Sequence, residues 1–272
     1  MFEDLKIGFL GGGNMGEAMI KGLIAASLFV PDQIRVFDVS TQRMHYLKKQ
    51  YIIQLSPDAE HLAKASQLII LAVKPQVMPF ALKELRPHVS HHPLIISIAA
   101  GIPIATLTQR LPSETRIIRV MPNAPALVLE GASALARGPG VTDEDMAKAL
   151  ALFRAIGKAI EVDESMLDAA TGLSGSGPGY FLLVLESLID AGVLMGLPRP
   201  IARELVLQTA VGTAKMAQEV EKHPAELKDL ITSPGGTTIR GLQVLEDRGV
   251  RGAFLGAVEA ATVRSMELGK KK

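Results

Sequence analysis

The chain has 272 residues, 48% of them hydrophobic and 21% charged, the composition of a folded protein of about two domains rather than a disordered one. Its 29 basic and 28 acidic residues leave a net charge of +1, so no charge excess calls for a nucleic-acid or membrane-surface partner. Cysteine and tryptophan are absent, which excludes disulfides, thiolate metal sites and a cysteine nucleophile.

The apolar run Lys6–Leu10 ends in Gly11-Gly12-Gly13, and a helical pattern follows from Asn14 to Ser27. Glu3 and Asp4 stand where a secretory leader would carry basic residues. No segment reads as a membrane span of roughly 18 uncharged apolar residues, so a cytoplasmic protein is expected. Ile34–Phe37 reads as a strand ending at Asp38, and Thr41–Gln50 as a helix. Leu68–Val73, Leu94–Ile98 and Ile117–Met121 are continuous apolar runs, as expected of strands buried on both faces. Ala132–Ala136 and Ala159–Val162 are weaker strands around a helix at Asp143–Ile156. This alternation predicts an α/β domain with a parallel sheet and right-handed crossovers.

After Asp163 the pattern contains only helices: Tyr180–Met195, Pro200–Lys222, Thr237–Asp247 and Arg251–Lys271. The division falls at residues 1–163 and 164–272. Small residues such as Ala210, Gly212, Ala253 and Gly256 suit close helix packing, either within one subunit or across a dimer. The terminal Lys270, Lys271 and Lys272 are too short a basic run to imply a partner.

Gly11, Gly13 and Gly16 fit G-x-G-x-x-G between a strand and a helix, the context in which that pattern binds a dinucleotide. Gly11 permits the tight turn, Gly13 the approach of a pyrophosphate, and Gly16 close helix–strand packing. Asn14 and Met15 then open a helix whose free N–H groups favour phosphate. Asp38, 22 residues beyond Gly16, stands where a carboxylate would bind the ribose hydroxyls of NADH. It would repel the 2′-phosphate of NADPH, but Ser40, Thr41 and Arg43 could receive that group, so both coenzymes stay open. Lys74-Pro75 and Ala99-Ala100-Gly101 follow strands, at the sheet edge where ligands bind in such folds.

Two further loops combine glycines and hydroxyls just before a helix: Leu173–Gly179 and Ser233–Thr238. Each reads as a cradle for a carboxylate or phosphate, or simply as a capped helix start. His88, His91 and His92 read as a solvated connection, and no metal is expected.

The run Leu230–Thr238, with Ser233-Pro234-Gly235-Gly236-Thr237-Thr238 at its centre, resembles the signature of the Δ1-pyrroline-5-carboxylate reductase family. Gly8–Gly16, Ala72-Val73-Lys74-Pro75, Ala99-Ala100-Gly101, Val120–Pro125, Thr171–Pro178 and Met195–Pro198 resemble other segments of that family in order and spacing. The chain departs from it at Leu230, where the family often places Asn, and at Pro57-Asp58-Ala59, where some members place an Asn near the adenine.

The resemblance implies an N-terminal Rossmann dinucleotide-binding domain and a C-terminal all-helical dimerisation domain. It implies NADPH- or NADH-dependent reduction of pyrroline-5-carboxylate to proline by a homodimer, with rings of such dimers as a further implication. Gly11, Gly13, Asn14, Met15, Gly16, Asp38, Ala72, Val73, Lys74, Pro75, Ala99, Ala100, Gly101 and Asn123 are then the coenzyme residues. Ser233, Gly236, Thr237 and Thr238 bind the substrate, and Thr238, Ser233 and Glu221 act at the reacting centre. A β-hydroxyacid dehydrogenase shares this general plan. That chemistry resembles families with a lysine general acid on the first long helix of the second half, and Tyr180–Met195 contains none. A non-catalytic dinucleotide sensor would have no use for Ser233–Thr238.

Overall fold

The computed structural model describes residues 2–270; Lys271 and Lys272, read above as part of a basic tail, lie outside the described residues. In chain order the first half runs β1 (Ile7–Leu10), α1 (Asn14–Ala25), β2 (Ile34–Phe37), α2 (Thr41–Tyr51), β3 (Gln54–Leu55), α3 (Ala59–Lys64) and β4 (Leu68–Leu71). It continues with α4 (Met78–Leu85), β5 (Leu94–Ser97), α5 (Ile104–Arg110), β6 (Ile117–Met121), β7 (Gly131–Arg137), α6 (Asp143–Arg154) and β8 (Gly157–Glu161). The second half holds α7 (Leu167–Ala170), α8 (Gly177–Leu194), α9 (Arg199–Glu219), α10 (Pro224–Leu230), α11 (Thr237–Asp247) and α12 (Val250–Lys270).

The eight strands form one sheet in the order β3-β2-β1-β4-β5-β6-β7-β8. Strands β1, β4 and β5 are buried at every position, which is why their sequences are apolar runs without alternation. One face of the sheet packs Met19, Ile20 and Leu23 of α1 and Leu152 and Phe153 of α6. The other packs Leu62 of α3, Leu82 and Leu85 of α4 and Leu107 of α5.

The wholly parallel sheet expected from sequence needs one correction. β7 runs antiparallel to β6, while every other pairing is parallel. The link Pro122–Glu130 carries only the 3-10 turn Ala124–Val128, too short for the helical crossover that parallel neighbours require. A second correction concerns Leu173–Gly179, expected as a loop. Thr171–Gly175 is a turn of π-helix, with the Ser176 N–H donating to the Thr171 carbonyl at 2.9 Å, and α8 begins at Gly177.

By packing, the described residues up to 176 and from 259 onward form one unit and residues 177–258 another. In the second, α8 and α9 lie together, with Arg199 paired to Asp190 at 2.7 Å and Ala202 buried. Among the described residues its only buried apolar side chains are Ala202 and Leu227, while Phe181, Leu182, Leu183, Leu205 and Leu255 are exposed. The run Glu164–Leu194 is apolar and long enough to cross a membrane by length and composition alone, although Glu164, Asp168, Glu186 and Asp190 divide it.

Helix α6 shows how local chemistry anchors the first unit. Thr142 caps it by accepting the Asp145 N–H at 3.1 Å, and Asp145 Oδ2 accepts the Thr142 N–H at 3.1 Å. Arg116 Nη1 donates to both Asp145 oxygens, at 2.7 and 2.8 Å. Burial acts to raise the Asp145 carboxyl, but the Thr142 hydrogen bonds and the Arg116 charge hold it below its usual range. A carboxyl depressed on folding contributes stability that is complete above about pH 4 and is lost as pH falls through the folded value. Asp145→Ala is therefore expected to cost about 2 kcal/mol at neutral pH and less near about pH 2, by denaturant unfolding. Equal deficits at both pH values contradict this account.

Candidate active site

The strand order brings the carboxyl ends of β2, β1, β4, β5 and β6 side by side along one edge of the sheet. Asp38, Gly11, Ala72, Ala99 and Asn123 follow those ends in that order. Between β1 and β4 the connections diverge, the crevice where open α/β sheets hold ligands. A cavity of about 550 Å³ opens there, lined by Gly11, Gly13, Asp38, Ala72, Val73 and Lys74 among the residues expected from sequence.

The glycines each have a separate cause. Gly11 has φ +106°, and a Cβ on it would lie 2.7 Å from the Ala72 carbonyl oxygen. A Cβ on Gly16 would lie 2.8 Å from the Gly11 oxygen. Both are required by the fold itself. Gly13 differs: its φ is −65°, and a Cβ there would meet no protein atom within 4 Å. Nothing in the chain demands glycine at that point, so the space above it suits a ligand backbone such as a pyrophosphate. Gly13 also leaves α1 with no side-chain cap, so the N–H groups of the first turn, which Asn14 and Met15 open, face that space unspent.

Asp38 is half-buried and accepts two backbone N–H groups, from Gly12 at 2.7 Å and Ser40 at 2.8 Å. Arg43 donates through Nε to the Gly12 carbonyl and through Nη2 to Glu17. Tyr46 and Tyr51 each donate to Glu17 Oε1 at 3.0 Å. Burial acts to raise the Glu17 carboxyl, but Arg43 and the two hydroxyls outweigh it and hold it below its usual range. Burial and the neighbouring carboxylate push the Tyr51 hydroxyl up to about 12.

Pro75, Ala99, Ala100 and Gly101 lie along the same edge but outside the cavity lining. Gly101 has φ +67°, and a Cβ on it would come within 3.2 Å of Leu268 Cβ, so α12 buttresses that loop. Asn123 ties two segments of the chain together. Its Oδ1 accepts the Ala132 N–H at 2.8 Å and its Nδ2 donates to the Ser174 carbonyl at 3.0 Å. Pro178, four residues on, has no N–H to give that carbonyl, so Asn123 supplies the missing donor. The amide keeps one N–H and one lone pair beyond these two bonds. The Thr171–Gly175 segment is no anion cradle: Thr171 and Ser174 donate their hydroxyls to the Leu167 and Ala170 carbonyls.

Within the second unit, Ser233-Pro234-Gly235-Gly236 makes a tight turn, with the Gly236 N–H on the Ser233 carbonyl at 3.0 Å and Gly235 at φ +70°. A Cβ on Gly236 would lie 2.3 Å from Ser233 Oγ, so glycine lets that hydroxyl sit over the helix start. Gly236 caps α11 with no side-chain hydrogen bond, leaving the first-turn N–H groups, beside Thr237 and Thr238, available to a carboxylate. Glu221 lies beyond the end of α9, not within it. The helix stops at Glu219 because Val220 turns to extended backbone, and Glu221 is exposed.

The lining residues Val77, Phe80 and Glu84 were not singled out from sequence, whereas Asp58 and Ala59, which also line the cavity, stand where the sequence departs from the family near the adenine. Phe80 is 63% exposed, and a phenylalanine left open on α4 is the signal that marks that wall. Of the histidines, His91 Nε2 lies 3.1 Å from the Ser66 carbonyl, while His88 and His92 approach different carboxylates, Glu60 and Glu114. Among the described residues no three groups gather as metal ligands.

Residues 164–268 match the family model for pyrroline-5-carboxylate reductase dimerisation, and residues 6–101 that for coenzyme F420-dependent NADP oxidoreductases. A pyrroline-5-carboxylate reductase of Synechocystis sp. is 47% identical over 98% of this chain and 99% of that protein. The structure of a pyrroline-5-carboxylate reductase from Coxiella burnetii superposes with a TM-score of 0.92 at 35% identity, covering 97% of this chain and 98% of the other. A pyrroline carboxylate reductase of Plasmodium falciparum with NADP bound superposes at 0.89 and 36% identity, covering 99% and 100%.

Because a Cβ at Gly13 meets nothing in the protein, Gly13→Ala is expected to change stability by less than about 0.5 kcal/mol. It should weaken nicotinamide-dinucleotide affinity by roughly tenfold or more, as overpacking at the ligand would. Titration of coenzyme fluorescence, paired with thermal unfolding, separates the two effects. Unchanged affinity contradicts the placement of the pyrophosphate.

Proposed function

The chain belongs to the pyrroline-5-carboxylate reductase family, and on that premise we propose how its own residues carry out the reaction. It is an oxidoreductase that uses NAD(P)H to reduce L-1-pyrroline-5-carboxylate to L-proline, the last step of proline biosynthesis. It forms a homodimer. The dimer interface is assigned to the helical half, where Phe181, Leu182, Leu183, Leu205 and Leu255 offer an apolar surface that one copy leaves uncovered. Assembly of dimers into a ring, and a cytoplasmic location, complete the reading.

The observation that carries the site assignment is the uncapped start of α11 behind the Ser233–Gly236 turn. A helix beginning on two glycines has lost the side-chain acceptor that normally satisfies its first N–H groups, and a small carboxylate satisfies them instead. Ser233 and the N–H groups of Gly236, Thr237 and Thr238 take the substrate carboxylate. Thr238, half-buried in the first turn, holds the ring nitrogen and its proton by a hydroxyl hydrogen bond or through one water. Glu221 orients polar groups or water at the mouth of that turn.

The reaction asks little more of the protein. When bound, the reduced nicotinamide supplies a hydride, which the imine carbon accepts while the nitrogen keeps the proton that Thr238 holds in place. Protonation leaves the C=N carbon electron-poor, so no strong side-chain acid is needed. Gly11, Gly13, Asn14, Met15 and Gly16 hold the pyrophosphate, and Asp38 the adenosine ribose. Val77 and Phe80 offer apolar surface to the adenine. Ala72, Val73, Lys74 and Pro75, with Ala99, Ala100 and Gly101, bound the path toward the nicotinamide with mostly small side chains. Asn123 supports that edge by holding β6 to the π-helical turn.

Oxidation of NADH and NADPH should be followed with pyrroline-5-carboxylate, with 2-hydroxy and 3-hydroxy acids as controls. Turnover is expected with the imine alone; turnover only with the hydroxy acids contradicts the reading. Thr238→Ala is expected to lower kcat by roughly tenfold or more and Ser233→Ala to raise KM for the imine by about tenfold, each from one lost hydrogen bond to an ionised ligand. Unchanged constants in both variants remove these roles.

A further inference from the structure

The fold commits the groups around the adenosine end of the cavity in a way that discriminates between the two coenzymes, which differ there by one 2′-phosphate. Resting on the placement of the dinucleotide at the β1–β4 edge, we propose that this chain selects NADH: Asp38 takes the ribose hydroxyls, and Glu17 withholds Arg43 from a 2′-phosphate.

Asp38 is set by its two backbone donors, Gly12 on one oxygen and Ser40 on the other. A carboxylate offers about four lone-pair sites, so each oxygen keeps one for an incoming donor. Adjacent ribose hydroxyls are two such donors. A 2′-phosphate replaces one of them with acceptor oxygens and negative charge, which the carboxylate can only repel. The wall adds to this: the charged residues lining the cavity are Asp38, Asp58 and Glu84 against Lys74 alone.

Of the groups that might compensate, Ser40 and Arg43 are tied to the chain, and only the Thr41 hydroxyl has no such tie among the described residues. Ser40 Oγ accepts the Arg43 N–H at 3.2 Å and thereby caps α2, so this helix start, unlike that of α1, already carries a side-chain acceptor. Arg43 holds the Gly12 carbonyl and Glu17, with its guanidinium carbon 5.0 Å from the Tyr46 ring centroid. Its side chain and that of Glu17 are only 25% and 19% exposed. Swinging Arg43 toward a phosphate would leave Glu17 half-buried with no counter-charge, held by two tyrosine hydroxyls alone. The arginine instead serves as a brace that ties α2 to the glycine loop and to α1.

The test uses the full chain and two readouts. Dissociation constants for NADH and NADPH, from the fluorescence of the reduced nicotinamide, should favour NADH by roughly tenfold or more, and kcat/KM with pyrroline-5-carboxylate should show the same ratio. Asp38→Asn should narrow the ratio mainly by weakening NADH, and Glu17→Gln should narrow it by strengthening NADPH as Arg43 is released. Equal or tighter NADPH binding by the unaltered protein overturns the proposal, as does an unchanged ratio in Asp38→Asn. NADH-selective binding without imine turnover upholds the selectivity and contradicts the assigned reaction instead, so the two failures are distinct.

Discussion

The backbone of Gly11 passes so close to Ala72 that a Cβ would lie 2.7 Å from the Ala72 carbonyl oxygen. That approach, at the point where the connections from β1 and β4 diverge, sets the rest of the coenzyme edge. It is held from both sides: the Gly11 N–H donates to the Phe37 carbonyl at 2.8 Å and the Ala72 N–H to the Leu10 carbonyl at 2.9 Å. With three strand ends locked together in this way, Asp38 can reach the Gly12 N–H, α1 starts uncapped beneath Gly13, and the cavity opens between them. The groups this edge presents are in large part backbone N–H groups, which glycine-rich turns expose at little steric cost.

This explains how a chain without cysteine or tryptophan, and with six dispersed histidines, serves as a reductase. The hydride comes with the coenzyme, the substrate brings a nitrogen that can hold a proton, and both bring anionic groups. The chain offers two uncapped helix starts, at Gly13 on α1 and Gly236 on α11, to which the proposed reading assigns those anions. The neighbouring helices α2 and α3 are instead capped by Ser40 and Asp58.

Much of this was legible in the sequence, for identifiable reasons. β1, β4, β5 and β6 are apolar runs that a doubly covered sheet demands, and the glycine spacing after β1 has one common structural use. What escaped depended on partners distant in sequence. The antiparallel β7 follows from a short link whose 3-10 turn has no strong periodic signal. Leu173–Gly179 has the composition of a loop, yet it is helical, because Thr171 and Ser174 return their hydroxyls to the helix and Asn123, 51 residues away, supplies the bond that Pro178 cannot. Arg43 looked available for phosphate; only the fold shows that Glu17, 26 residues earlier, holds it. The exposed leucines and phenylalanine of α8 lie within the segment that matches the dimerisation family model.

The central claim is direct hydride transfer from a dinucleotide held on the Gly11–Gly16 turn to the imine carbon of a protonated ring, with no exchangeable intermediate on the protein. Reduction of pyrroline-5-carboxylate with coenzyme deuterated at nicotinamide C4, on the transferred face, tests it most directly. The account predicts that the deuterium appears in proline on Cδ, the former imine carbon, and not on the carbon that bears the carboxylate, with none released to water. Deuterium in the solvent, or proline formed without it, would contradict the account.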